Sequence, residues 1–365
     1  MEWPDNGPDA HALSGLDGRF RPVTGQGAAA SATGNAPASS GGATTGGAVG
    51  GTAPFGTVGT AMVTCFADDG GLDLDATGSV AAHLLDTGHD LLVVNGTTGE
   101  SVTTSDAEKA SVLRVVLEVA TGRAVVLAGV GTADTAHSIE LARAAAAAGA
   151  DGLLVNTPYY NKPPQSGLLA HFTAIADATD LPVMLYDIPS RAGVAIATDT
   201  LLRLADHPRI VAVKDAKGDL AGTTAVLAAG GLAYYSGNDE LNLALLAVGA
   251  VGVVSVVGHV AGRCYREMVD AVAAGDLPTA RRTDRRLAPA VRAIMTRTQG
   301  AIMAKAALQL IGVVPGRTMR LPLLAATDIE LAELAADLRV AGLLGAGPMG
   351  AGPSTPVSTR PGAAA

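Results

Sequence analysis

The sequence is poor in charged and aromatic side chains, which make up 16% and 3% of its 365 residues. Lys and Arg number 25 against 34 Asp and Glu, so the formal net charge at pH 7 is −9. Without a basic excess there is no field to attract nucleic acid or an anionic membrane, and neither is expected as a partner. No apolar run approaches the roughly 20 residues that span a bilayer, and no signal peptide is recognisable at the N-terminus.

Cysteine is equally scarce. Cys65 and Cys264 have no metal-ligand spacing and make no disulfide framework, so we expect a reducing, cytoplasmic location. The seven histidines are scattered without His-Glu-x-x-His spacing, and no metal site is expected. No Gly-x-Gly-x-x-Gly motif follows the first predicted strand, so the sequence lacks the signature of a dinucleotide-binding fold.

The abundant residues are small or aliphatic, and their distribution divides the chain. Residues 1–53 and 345–365 are rich in Gly, Ala, Ser, Thr and Pro and carry few large apolar side chains. Such segments bury too little surface to offset the entropy of ordering, so we predict two disordered tails. We assign 54–260 to a catalytic barrel and 261–344 to a C-terminal helical region.

Short apolar runs alternate with Ala/Leu-rich helical patterns through the central region, which is typical of an α/β fold. The predicted strands are 57–64, 90–95, 124–129, 151–156, 182–187, 210–215, 233–236 and 251–256. The helical patterns are 73–87, 105–121, 133–148, 166–178, 198–205, 219–229 and 239–248, then 261–275, 277–297, 300–311 and 328–342. Eight alternations predict a (β/α)8 TIM barrel with a C-terminal helical extension, and an open doubly wound sheet is the structural alternative.

Of five lysines, Lys214 is the one that ends an apolar strand, Ile210-Val211-Ala212-Val213-Lys214. Side chains alternate along a strand, so Ala212 and Lys214 share a face. If the valines contact the outer helices, Lys214 points into the barrel mouth, where barrel enzymes hold their catalytic groups. Desolvation there would lower the lysine pKa towards that of a nucleophilic amine. The alternative is a lysine that extends to solvent at a strand end.

Tyr186 ends the preceding strand, and its phenol could transfer protons beside Lys214. It could equally be a core tyrosine. Arg191 follows in the loop Ile188-Pro189-Ser190-Arg191-Ala192-Gly193, where its guanidinium suits a substrate carboxylate, although a solvated loop arginine is the simpler interpretation. The loop Gly96-Thr97-Thr98-Gly99-Glu100-Ser101 offers amides and hydroxyls to a small carboxylate, or is an ordinary turn.

Together these motifs, with Thr157-Pro158-Tyr159-Tyr160-Asn161 and Val213-Lys214-Asp215-Ala216-Lys217-Gly218-Asp219, resemble those of the dihydrodipicolinate synthase and N-acetylneuraminate lyase superfamily. They occur in the family's order over about residues 55–344, and the Ser190-Arg191-Ala192-Gly193 loop resembles its synthase branch. Two departures are Cys65, where the family usually has proline, and Thr298-Gln299-Gly300 between the C-terminal helices.

The resemblance implies a lyase that joins pyruvate to L-aspartate 4-semialdehyde in the diaminopimelate and lysine pathway. No cofactor is implied, because the reaction proceeds through a covalent imine between pyruvate and Lys214. The implied catalytic residues are Lys214, Tyr186, Thr97 and Tyr160, with Tyr160 reaching in from a neighbouring subunit. The implied substrate-binding residues are Thr98, Arg191, Val254 and Gly237. A homo-oligomer of at least two subunits is implied, and a tetramer is expected.

Two other functions are compatible with the sequence. One is another pyruvate-dependent aldolase of the Schiff-base type, acting on sialic acid or a 2-keto-3-deoxy sugar acid. The other is a catalytically silent barrel that only binds a ligand. The joint presence of Lys214, Tyr186, Thr97 and Tyr160 argues against the silent barrel, and a panel of aldehydes would separate the aldolases.

Overall fold

The computed structural model describes residues 52–345. The two predicted tails therefore lie outside the described residues, apart from 52, 53 and 345. Eight parallel strands form a closed barrel in the order β1-β2-β3-β4-β5-β6-β7-β8. The strands are β1 Val58–Ala61, β2 Leu91–Val94, β3 Val125–Gly129, β4 Gly152–Asn156, β5 Val183–Asp187, β6 Ile210–Asp215, β7 Ala233–Ser236 and β8 Gly252–Ser255. Closure of the sheet confirms the predicted TIM barrel and excludes the open sheet.

Helices follow the strands and surround the barrel. They are α1 Leu74–Asp86, α2 Asp106–Ala120, α3 Thr135–Ala147, α4 Gln165–Asp177, α5 Pro189–Ala192, α6 Thr198–Leu204, α7 Leu220–Ala229, α8 Asn242–Val248, α9 Gly258–Ala273, α10 Leu277–Met295, α11 Gly300–Leu310 and α12 Asp328–Val340. Short 3-10 turns lie at Ser101–Thr103 and Asp239–Leu241. No helix in 52–345 is long and apolar enough to cross a membrane.

The barrel interior is packed with side chains, as alternation along each strand requires. Leu91, Leu127 and Met184 are buried there, and Phe55 joins them ahead of β1. The Phe55 amide donates to the Tyr235 hydroxyl at 3.2 Å, and that hydroxyl donates to the Gly56 carbonyl at 2.9 Å. These contacts fill the N-terminal side of the interior and leave the opposite, C-terminal end of the strands for a site.

The C-terminal helices form a second apolar core that adjoins β1 and β8. Met268, Leu287, Met303 and Leu334 are buried in it, one each from α9, α10, α11 and α12. Helix α11 connects this core to the barrel, because Ala304 and Leu308 pack into the cluster between strands and outer helices. The N-terminus of α11 is thereby held at the barrel mouth.

The sequence pattern missed one short helix. The loop after β5 contains helix α5, which is a single turn too short for periodicity to reveal. Helix α9 has a kink at Ala261, where φ is −118° and ψ is 18°, so the helical pattern predicted from 261 begins at this kink and one further helical turn precedes it from Gly258. A Cβ at Gly258 would collide with Thr60 Oγ1, so the glycine allows α9 to lie directly against β1.

Candidate active site

Lys214 lies at the C-terminal end of β6 and points into the barrel mouth. Ala212, two residues earlier, is in the interior cluster, whereas Val213 faces the outer helices, as alternation predicted. Lys214 is only 3% exposed, and within the described residues no carboxylate lies at ion-pair distance from its amine. Burial lowers its pKa from 10.5 to about 8, the Asp239 charge opposes that change, and the Arg191 charge adds to it. A buried amine with this pKa is available as a nucleophile near neutral pH.

Gly237, the residue that follows β7, provides the space for this lysine. A Cβ at position 237 would stand 2.7 Å from Lys214 Cγ and 2.9 Å from Cε, closer than carbon atoms approach each other. The Gly237 amide also donates to the Asp215 carbonyl at 2.7 Å, which holds the backbone against β6. Close packing against the Lys214 side chain therefore requires glycine at position 237. The structure thus places this predicted site residue in direct contact with the lysine.

Tyr186 and Lys214 are partners in the register between β5 and β6. The Lys214 amine lies 4.2 Å from the centroid of the Tyr186 ring. Burial raises the pKa of the Tyr186 hydroxyl to about 12, while the Arg191 charge and the Thr97 hydroxyl act in the opposite direction. The phenol is thus protonated at neutral pH and positioned to donate a proton to a group attached to the lysine.

The two threonines of the β2 loop line the same space. Thr97, Thr98, Tyr186 and Lys214 line one cavity of about 200 Å³, and Arg191 and Gly237 line it as well. Arg191 is carried by α5, which ends at Gly193 with a left-handed φ of 81°. Six of the eight predicted site residues are therefore brought together. No Asp or Glu lines this cavity, so its only formal charges are cationic and it suits anionic ligands.

The remaining two predicted residues are not among those that line this cavity. Val254 is buried in β8 in the interior cluster that also contains Tyr186, and Val256, two residues later, lines the cavity. Tyr160 is 90% exposed, so its ring lies outside the cavity of its own subunit. Its backbone φ is 74°, a conformation that is uncommon for a residue other than glycine.

Asp239 is the negative charge that raises the pKa of Lys214, and both of its carboxylate oxygens are engaged in other hydrogen bonds. One carboxylate oxygen accepts from Ser255 Oγ and from Asn242 Nδ2 (3.0 Å). The other accepts from the backbone amides of Val256 (2.8 Å) and Val257 (3.0 Å). Asp239 thereby fixes the start of the segment that follows β8, including Val256 in the cavity wall.

A second buried cation, which the sequence reading missed, holds the β2 loop. Lys305 Nζ donates to Glu100 Oε1 at 2.5 Å and to the Thr318 carbonyl at 2.8 Å. Glu100 Oε2 accepts from the Arg320 amide at 3.0 Å. Glu100 has a left-handed φ of 54°, so a strained residue of the loop is fixed by a buried ion pair. Glu100 and Lys305 are 205 residues apart in the sequence, so no local spacing pattern could have predicted their ion pair.

Within 52–345 no group of three or more His, Cys, Asp or Glu side chains is arranged to hold a metal ion. The functional groups that line the cavity are an amine, a phenol, hydroxyls and a guanidinium. A closed parallel barrel with a buried lysine and tyrosine at the C-terminal ends of adjacent strands defines a (β/α)8-barrel enzyme.

Comparison with known proteins agrees with this class. The model of the dihydrodipicolinate synthetase family matches residues 54–341. A relative from Kineococcus radiotolerans named 4-hydroxy-tetrahydrodipicolinate synthase is 65% identical over 290 residues, which cover 80% of this chain and 94% of the relative. A Streptomyces coelicolor relative named 4-hydroxy-tetrahydrodipicolinate synthase 2 is 59% identical, covering 80% and 96%.

Among solved structures, that of DHDPS from Cyanidioschyzon merolae with lysine bound superimposes with a TM-score of 0.77. It is 41% identical, and the match covers 80% of this chain and 100% of that one. The chain belongs to the dihydrodipicolinate synthetase family, and it is an enzyme of the lyase type that its relatives' names describe.

Proposed function

We propose that the protein condenses pyruvate with L-aspartate 4-semialdehyde through a Schiff base on Lys214, as a 4-hydroxy-tetrahydrodipicolinate synthase. The observation that carries the proposal is the buried Lys214 amine, unpaired among the described residues, beside the Tyr186 ring in a cavity that also holds Arg191. The resemblance of the relatives supports the identity of the two substrates.

The reaction begins when the neutral Lys214 amine attacks the ketone carbon of pyruvate. Loss of water gives a protonated imine, which withdraws electrons and makes the adjacent methyl group acidic. A methyl proton leaves, and the resulting enamine carbon attacks the aldehyde carbon of the second substrate, whose oxygen takes up a proton. The amino group of that substrate then adds to the imine carbon, closes the ring and releases the Lys214 amine. This reaction sequence forms one carbon–carbon bond, releases one water and regenerates the Lys214 amine. These steps require only proton transfers and no added cofactor.

Proton transfer is assigned to Tyr186, Thr97 and Tyr160 of the partner subunit. Tyr186 is protonated at neutral pH and is adjacent to the amine. The Thr97 hydroxyl is close enough to lower the tyrosine pKa, which suits a relay between the two groups. Thr98, which is 7% exposed and lines the cavity, would bind the pyruvate carboxylate. The Val254 backbone would close the pyruvate site. Arg191 would bind the carboxylate of the aldehyde.

The exposed position of Tyr160 supports assembly of at least a dimer, and we expect a tetramer. Its exposed ring needs a neighbour to reach a cavity. Tyr159, Val102 and Leu323 line a second cavity of about 290 Å³ that adjoins the first, and Val102 itself is 74% exposed. Exposed apolar side chains around a site are typical of a subunit contact. The free cysteines Cys65 and Cys264 favour action in the cytoplasm.

The test is to trap the imine with pyruvate and borohydride, followed by peptide mass mapping. Lys214 should carry the adduct, and Lys109, Lys162, Lys217 and Lys305 should not. A panel of aldehydes with pyruvate as donor should then favour L-aspartate 4-semialdehyde over sugar aldehydes. An adduct on another lysine would refute the assignment of the nucleophile, and preference for a sugar aldehyde would indicate another aldolase.

A further inference from the structure

The cavity that contains Lys214 has an inner and an outer part. Thr98, Tyr186, Lys214 and Gly237 line only the inner cavity of about 200 Å³. The outer cavity of about 290 Å³ shares four lining residues with it, namely Thr97, Ile188, Arg191 and Gln299. A ligand attached to Lys214 occupies the inner part, so a second substrate must approach past these shared residues.

Gln299 is the amide among the four, and its orientation is fixed by chemistry. It is the residue that precedes α11, and its Oε1 accepts from the Ala301 backbone amide at 2.6 Å. A backbone amide can only donate, so the atom that faces it must be the side-chain oxygen. The nitrogen Nε2 is therefore directed away from the helix, and among the described residues it has no hydrogen-bond acceptor.

The charges around this junction favour an anionic ligand. Arg191 lines both cavities, and no carboxylate lines the inner one. The one carboxylate on the outer cavity, Glu100, is paired with Lys305. Gln299 and Arg191 line the same two cavities, so an amide nitrogen and a guanidinium can provide two kinds of donor to a planar carboxylate there.

We propose that Gln299 determines specificity for the second substrate, with its Nε2 donating to the carboxylate of the aldehyde next to Arg191. The inference rests on the proposed function and adds to it a residue in the segment Thr298-Gln299-Gly300 that departs from the family's usual wording. Oε1 stabilises the first turn of α11, and Nε2 recognises the substrate, so one side chain has two separable roles.

Two substitutions separate these roles. Gln299→Glu keeps an acceptor for the Ala301 amide and loses the donor, so thermal stability should be retained. Gln299→Met loses both groups without adding charge. In each variant the KM for L-aspartate 4-semialdehyde should rise by about tenfold or more, as expected for one lost hydrogen bond to a charged group. In Gln299→Met, which adds no charge to the cavity, the KM for pyruvate and the borohydride trapping of pyruvate on Lys214 should stay as in the wild type.

The possible results are distinguishable. An increase in Gln299→Glu alone would mean that added negative charge repels the substrate, and a direct hydrogen bond would be refuted. No increase in either variant would show that Gln299 only caps α11. If the wild-type enzyme itself failed to trap pyruvate or to turn over the semialdehyde, the proposed function would be wrong, whatever the variants did.

Discussion

Lys214 and Lys305 are both almost fully buried, 3% and 2% exposed, yet their surroundings differ. Lys305 forms an ion pair with Glu100, donates to a backbone carbonyl and lies 4.3 Å above the Phe66 ring. Lys214 contacts the ring of Tyr186, and within 52–345 no carboxylate pairs with it. Burial lowers the pKa of both lysines. At Lys305 the charge and the hydrogen bond of Glu100 oppose the effect, whereas at Lys214 only the charge of Asp239, which is not within ion-pair distance, opposes it.

The difference separates a structural lysine from a reactive one. A buried ammonium is stable when an anion and hydrogen bonds replace its water, as at Lys305. A buried amine without them tends to lose its proton, which costs the fold stability and supplies a nucleophile. Burial alone therefore does not identify the catalytic lysine, whereas burial without a counter-ion, facing a cavity, does.

The same substitution, Lys→Met, should have opposite effects at the two sites. Lys214→Met should lose turnover by a factor on the order of 10⁶, comparable with removal of a covalent nucleophile, and should form no pyruvate adduct. Its thermal unfolding temperature should equal or exceed that of the wild type, because the uncompensated amine no longer has to be buried. Steady-state assays and calorimetry measure both quantities, and a clear loss of stability would show that Lys214 contributes to the fold.

Tyr186→Phe tests whether the ring beside Lys214 acts through its hydroxyl. Turnover should fall by roughly 10²–10⁴-fold, the usual loss for a general acid-base group. The aromatic ring remains, so circular dichroism and unfolding temperature should not change. A rate close to that of the wild type would show that Tyr186 serves only to pack against the lysine.

Lys305→Met should leave Glu100 buried without a partner and reduce the free energy of unfolding by about 3–5 kcal/mol. Glu100→Gln should act in the same direction. The double variant should lose less than the sum of the two, because neither charge then remains unpaired. Urea unfolding of the four proteins gives the coupling, and additive losses would mean that the two side chains do not act as a pair.

The reactive lysine could be predicted from sequence because its evidence is local. Alternation along Ile210–Asp215 orients Lys214, and the preceding strand places Tyr186 beside it. The structural lysine could not, since its partner is 205 residues away and lies in another element. Gln299 was noticed only as a departure from the family's wording. The role of Gln299 depends on whether its side-chain oxygen or its side-chain nitrogen faces the cavity, and sequence spacing does not specify that orientation.

The fold was predictable for a similar reason, and its errors are instructive. Apolar runs fixed all eight strands to within a few residues, because both faces of a barrel strand are buried. Helix α5 was missed because four residues carry no period. Cys65, the other departure from the family's wording, is accommodated by packing. Its amide donates to Thr77 Oγ1 at 3.1 Å, which a proline could not do.

The smallest effect concerns pH and follows from the pKa of Lys214. Only the neutral amine attacks pyruvate, and with a pKa of about 8 its fraction rises about tenfold per pH unit below that value. The rate of borohydride trapping with pyruvate alone should therefore climb with pH and level off above about 8. Arg191→Met removes a positive charge that lowers this pKa, so the midpoint should move upward, while a more distant charge should leave it in place. A trapping rate that is flat between about pH 6 and 9, or a midpoint near the ordinary lysine value of 10.5, would mean that water or an unseen anion stabilises the ammonium, and that Lys214 resembles Lys305 more than its unpaired position suggests.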